Sequence, residues 1–269
     1  MEKYLYTLLG LSIIFVCTTL GSSVVFFFKK NISDNIKRVI LGFSSGIMVS
    51  ASIFSLLLPA LKSTDTNTYM PEKLFWIIPT VSFIFGCLLM WGLDKVVPHI
   101  HKEKEETEGV KTNKISRGTK LFLAVTLHNI PEGLSVGIAF GSALAMNNEA
   151  MLFSALMLAL GIGIQNVPEG AAVSLPLLDE GYTKTKAFLF GTFSGLVEPI
   201  AGIFGFLLAA FFKDVMPFAL ALSAGCMIYV VIEDLIPQAQ LDSINHYGTW
   251  SFIVGFVVML ILDTAIWEN

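Results

Sequence analysis

Two short polar inserts interrupt long apolar runs: His128-Asn129-Ile130-Pro131-Glu132-Gly133 and, 37 residues further on, Gln165-Asn166-Val167-Pro168-Glu169-Gly170. His128 and Glu132 are four residues apart, as are Gln165 and Glu169. On a helix this spacing sets each pair on one face with Cβ atoms about 5–6 Å apart, and Asn129 and Asn166 stand beside them. Pro131 has no N–H for the carbonyl of Leu127, Pro168 has none for Ile164, and Pro199 has none for Gly195. A third acid, Glu198, precedes Pro199 in the middle of another apolar run. Three carboxyls, one imidazole, several amides and freed carbonyls form a set of oxygen and nitrogen donors suited to a divalent cation.

The surrounding chain makes those acids costly. Of 269 residues, 54% are hydrophobic and only 14% charged, with mean hydropathy +0.72. That composition excludes a soluble domain and points to a polytopic membrane protein. About 20 apolar residues span the hydrocarbon core, and eight runs suffice: about 5–28, 37–61, 74–97, 120–146, 150–177, 185–212, 217–237 and 248–267. The first run is too long for a signal peptide and lacks a small-residue cleavage site, so it reads as a span. Glu132, Glu169 and Glu198 fall near the middles of theirs. An ionised carboxylate there costs at least ~2.5 kcal/mol. All 17 Lys and Arg lie in loops or at span ends, so no fixed cation inside a span can pair with these acids. Protonation or a bound cation remains.

Thirteen Lys and Arg flank the loops between spans 1 and 2, 3 and 4, 5 and 6, and 7 and 8; four lie on the other side. The positive-inside rule then leaves both termini outside and the charged 98–119 stretch as a flexible cytoplasmic loop. Span 2 is expected to stop near Pro59. Spans 4 and 5 share Asn-x-Pro-Glu-Gly yet cross in opposite directions, the mark of an inverted repeat with its site near the midplane. A weaker echo joins Ser44-Ser45-Gly46-Ile47-Met48 in span 2 to Ser223-Ala224-Gly225-Cys226-Met227 in span 7. The expected fold is therefore an all-α polytopic membrane protein with eight transmembrane helices, arranged as a 3+2+3 inverted repeat around a central helix pair. Cys17, Cys87 and Cys226 sit in apolar runs without a CxxC pair and read as structural.

The paired inserts resemble the signature of the ZIP (Zrt/Irt-like) divalent metal transporters, and Gln165 opening the second insert is similar to the GufA-like bacterial branch. The resemblance covers the whole chain and implies a binuclear midplane centre. One metal would sit among His128, Glu132, Gln165 and Glu169. The other would sit among Asn129, Glu132, Asn166, Glu169 and Glu198, with Glu132 and Glu169 bridging. Some relatives have Asp where this chain has Asn166, which removes a possible charge. The resemblance also implies a cytoplasmic release set of Asp94, His99, His101 and Glu233 or Asp234, a homodimer, and movement of one helix bundle against another. The function expected is uptake into the cytoplasm of Zn²⁺, or of Fe²⁺, Mn²⁺, Cd²⁺ or Co²⁺, across a cell membrane (the inner one in a bacterium). The metal is then a transported substrate, and no cofactor, nucleic-acid partner or enzymatic activity is expected.

Other classes compete with this reading. A proton relay would use His and Glu equally well. A proton-coupled solute carrier should bring aromatic and polar side chains together in its pocket, whereas this chain brings carboxylates and amides. An intramembrane metal-dependent hydrolase would want several histidines or an HExxH pair, and only His128 lies inside a span.

Overall fold

The computed structural model describes residues 2–27, 33–65, 74–96, 99–100, 107–108, 117–211, 216–239 and 244–264. Its helices are α1 (Glu2–Ser23), α2 (Asp34–Ser50), α3 (Leu58–Asp65), α4 (Ile77–Val96), α5 (Arg117–Ala145), α6 (Glu149–Asp179), α7 (Lys184–Gly195), α8 (Val197–Phe211), α9 (Met216–Val230), α10 (Ile236–Ala239) and α11 (Tyr247–Thr264). Among the described residues they make eight rods, because α2 runs into α3, α7 into α8 and α9 into α10. Among the described residues, six rods are long and apolar enough to cross a membrane, and Ile77–Leu93 of α4 is a shorter apolar helix. The strands are two residues long: His99 pairs with Glu108 and Ile100 with Thr107, antiparallel, in the charged stretch before α5.

Polarity is distributed inside out. Leu5, Leu8 and Leu20 of α1, Val81, Phe85 and Leu88 of α4, Ile203 and Phe204 of α8, and Val254 and Ile261 of α11 are exposed, while Asn129, Glu132, Gln165, Asn166 and Glu198 are fully buried. An apolar exterior of this extent is unsustainable in water and natural in lipid. The protein is a multi-pass membrane protein.

Prolines shape three rods. Span 2 does not stop near Pro59; the helix runs on to Asp65. A π-helical segment, Ala51–Leu57, precedes the proline, and Leu58 N–H bonds the carbonyl of Ile53. Widening the turn accommodates a residue that has no N–H to give. The same device recurs at Val231–Leu235, where Ile236 N–H bonds Val231 O just before Pro237. In the sixth rod the helix breaks at Leu196, so Glu198 and Pro199 fall in the first turn of α8. A proline there sacrifices no helical bond, because first-turn N–H groups have no partner within the helix.

Glycines let four pairs of rods approach until backbones touch. A Cβ on Gly46 of α2 would overlap the carbonyl of Phe252 in α11, and one on Gly255 the carbonyl of Phe43. Gly86 of α4 and Gly225 of α9 meet Leu222 and Phe83 in the same reciprocal way. Gly133 and Gly137 of α5 rest on Glu198 and Gly202 of α8, and Gly170 of α6 and Gly21 of α1 rest on Thr18 and Val167. Close glycine contacts are the usual basis of tight packing where lipid supplies no hydrophobic drive. In the α2–α11, α5–α8 and α1–α6 pairs the contacts climb together, so partners run in the same direction. Rods that cross alternately up and down meet this condition only an even number of crossings apart, and these pairs are rods 2 and 8, 4 and 6, and 1 and 5. The main contacts divide the molecule into one bundle of α1, α5, α6, α7 and α8 and another of α2, α3, α4, α9, α10 and α11, which meet chiefly where α5 faces α9 and α6 faces α2.

Candidate metal centre

The first bundle carries the inserts. Helices α5 and α6 continue through Pro131 and Pro168, and the tight turn between them, with Asn147 at φ 53°, keeps them neighbours. The Asn148 side chain caps α6 by accepting from Met151 N–H. Two hydrogen-bonded clusters result. In one, Gln165 Nε2 donates to Glu132 Oε1 at 2.6 Å and to Glu169 Oε2 at 3.1 Å. In the other, Glu198 receives three donors. Asn129 Nδ2 and Thr18 Oγ1 reach Oε1 at 2.9 and 3.0 Å, and Asn166 Nδ2 reaches Oε2 at 2.5 Å. The second amide proton of Asn129 goes to Ser194 O, at 3.1 Å, and that of Asn166 to Ile14 O, at 3.2 Å.

The accounting leaves acceptors over. Asn129 Oδ1, Glu132 Oε2, Gln165 Oε1 and Asn166 Oδ1 are buried without a hydrogen-bond donor. Each such group costs about 1–3 kcal/mol of desolvation. All four are oxygens, on two adjacent helices and within about one turn of each other along each. Oxygens left without a donor, on helices that also carry buried carboxylates, suit a cation. Among the described residues, no three His, Cys, Asp or Glu gather to hold a metal by themselves, so the amide oxygens of Asn129, Gln165 and Asn166 have to supply part of any coordination shell.

The other expected residues are distributed differently. The side chains of His128 and Asp94, and of His99 in its strand, lie outside the described residues, as does all of His101. Glu233 is half-buried and Asp234 buried in the π-helical segment of the second bundle. Glu169 is less buried than Glu132. Sequence reasoning missed Thr18, which donates to Glu198, and the carbonyls of Ile14 and Ser194, which accept from Asn166 and Asn129. Thr18 lies in a run of small and hydroxylated residues, Thr18-Thr19-Leu20-Gly21-Ser22-Ser23, whose local pattern does not announce the contact with α8.

The family model described as ZIP Zinc transporter matches residues 4–118 and 117–263. The chain belongs to the ZIP zinc transporter family. Relatives of this ZIP chain include zinc transporter ZIP11 of Homo sapiens, 32% identical over 96% of each chain. Zinc transporter ZIPB of Bordetella bronchiseptica is 34% identical over 97% of this chain and 81% of its own. Zinc transporter GufA of Myxococcus xanthus is 32% identical over 84% and 85%. Membership of a transporter family argues for carriage rather than catalysis.

Asn166 is where this ZIP chain can be probed most cleanly. Asn166→Asp would exchange a donor to Glu198 for a second carboxylate. Without metal, the variant is expected to lose about 2–3 kcal/mol, the worth of a buried hydrogen bond to a charged group. Added Zn²⁺ should recover more stability in the variant than in the parent, and thermal unfolding with and without metal measures both.

Proposed function

We propose that this chain carries divalent metal ions, Zn²⁺ foremost, across a cell membrane into the cytoplasm, through a midplane site built from His128, Asn129, Glu132, Gln165, Asn166, Glu169 and Glu198. The observation that carries this reading is the set of four orphaned oxygens beside buried carboxylates, in a chain with no Lys or Arg inside its spans. A proton relay explains the carboxylates but leaves Asn129 Oδ1, Gln165 Oε1 and Asn166 Oδ1 without purpose. A divalent cation satisfies them together. The two clusters fit a two-ion arrangement, with His128 and Gln165 on one side, Asn129, Asn166 and Glu198 on the other, and Glu132 and Glu169 between.

Several features favour a 3+2+3 inverted repeat. Gly133 rests on Glu198 and Gly170 on Thr18, so each insert meets a flanking rod in the same way. The π turn before Pro59 in rod 2 has a counterpart before Pro237 in rod 7. The division into two bundles suits alternating access, with the insert-bearing bundle moving against the other. The resemblance extends the reading to a homodimer with both termini outside, and to release towards the cytoplasm past Asp94, His99, His101, Glu233 and Asp234.

Proteoliposomes loaded with a metal-sensing dye test the proposal. Zn²⁺ should enter, and failure of Zn²⁺, Mn²⁺ and Fe²⁺ alike would sink it. Affinity should also fall as pH is lowered, because coordination needs ionised glutamates and neutral histidine. Titrating Zn²⁺ binding from neutral to mildly acidic pH checks that sign.

A further inference from the structure

The tight glycine contacts of this fold are of two kinds. Among the described residues, the glycines that meet a neighbouring rod's backbone do so within one bundle. Gly161 of α6 instead meets a side chain of the other bundle: a Cβ there would overlap Sδ of Met259 in α11 and stand 2.9 Å from its Cε. We infer that Met259, seated in the notch at Gly161, is the stopper that closes the centre towards the Glu149 end of α6, and that it has to withdraw before an ion can reach Gln165 from that side. The inference rests on the two-bundle transport reading above and names the contact that shuts one way in.

The place of the contact on α6 gives it a role beyond packing. Gly161, Gln165 and Glu169 follow one another at four-residue spacing, so they share one helix face. Burial along that face is lopsided. Gly161 and Gln165 are buried and Glu169 is partly exposed, so the centre is more open towards Asp179 than towards Glu149. On the Glu149 side its surroundings are apolar. Met259 is fully buried there, in one cluster with Leu158, Ala159 and Ile162 of α6, Met48 of α2 and Met227 of α9. An ion cannot cross such a layer while it is closed, because nothing in it replaces water. In the topology proposed above, that end is the outer one. The kind of contact favours release. Backbone resting on backbone fixes rods within a bundle, but a methionine is unbranched with three rotatable bonds and can leave a notch by changing rotamer. Glycine opposite it provides a seat that any Cβ would fill.

The test is a cross-link in the full chain, in proteoliposomes. Gly161→Cys combined with Met259→Cys is oxidised with diamide, which takes one hydrogen from each thiol as the disulfide forms. Peptide mass spectrometry locates the bond, and each single variant controls for the native cysteines. Zn²⁺ uptake is expected to be lost on oxidation and restored by dithiothreitol, while the oxidised protein still binds Zn²⁺ through its open side. Uptake unchanged by the cross-link overturns the inference, because the contact is then static packing. So does loss of binding together with uptake, since the pair would then support the centre rather than close a way into it. A pair that the oxidant leaves unlinked overturns it as well. A second reading needs no cross-link. Ile162→Cys should resist a water-soluble thiol reagent added from outside and should be modified once Met259→Ala is introduced beside it; equal protection in both overturns the inference. Each overturning outcome leaves metal transport standing, whereas a parent that takes up none of Zn²⁺, Mn²⁺ and Fe²⁺ overturns both readings.

Discussion

Glu132→Gln is expected to abolish metal uptake while leaving the fold intact. Glu132 is fully buried on α5, accepts from Gln165 through Oε1 and leaves Oε2 bare. The substitution keeps shape and volume but removes one charge from the centre and puts an N–H where a cation needs an oxygen. Stripping one partner from a buried ion pair costs about 3–5 kcal/mol, so affinity should fall on the order of 10²–10⁴-fold. Thermal unfolding supplies an independent readout. Metal at 100 times its dissociation constant stabilises the parent by about 2.7 kcal/mol. A 100-fold weaker site at the same metal concentration retains only about 0.4 kcal/mol. The metal-free variant should be at least as stable as the parent, since a fully buried carboxyl is replaced by a neutral amide of the same shape. Parent-like uptake, or a full metal-induced shift in Tm, would remove Glu132 from the site.

Gly133→Ala is expected to disable the centre without touching a ligand. A Cβ at Gly133 would run into the backbone carbonyl of Glu198, and backbone cannot rotate aside as a side chain can. Helix α8 has to shift, carrying Glu198 away from Asn129 and Asn166. Overpacking of this kind costs about 1–3 kcal/mol, and the displaced first turn of α8 should cost metal affinity as well. Gly92→Ala is the control: nothing lies within 4 Å of a Cβ there, and replacing a helical glycine by alanine gains up to about 1 kcal/mol. Lowered Tm and lost Zn²⁺ binding in Gly133→Ala, beside an unchanged or more stable Gly92→Ala, is the expected pattern. Parent-like binding by Gly133→Ala would mean that the α5–α8 contact does not hold the centre together.

Much of this protein is legible in its sequence because the bilayer enforces simple rules. Apolar runs long enough to span are visible as such, and a buried acid without Lys or Arg nearby stands out by its cost. His128, Glu132, Gln165 and Glu169 could be read as two matched helix faces because four-residue spacing is a local property. So could the freed carbonyls before Pro131 and Pro168. The tertiary structure decided what depends on meetings between distant segments. Thr18 and Glu198 are 180 residues apart, and no periodicity announces their hydrogen bond. Pro59 looked like a stop because sequence pattern assumes one helical geometry, while a π turn absorbed the missing N–H. Gly133 is only the last residue of an insert in the sequence, and the carbonyl of Glu198 beneath it makes it a contact surface. The inserts themselves show which atoms could bind a cation. Which of those atoms remain unpaired, and which acid is already held by three donors, is decided only when α1, α5, α6 and α8 are brought together, because hydrogen-bond satisfaction is a property of the packed interior and not of any one segment.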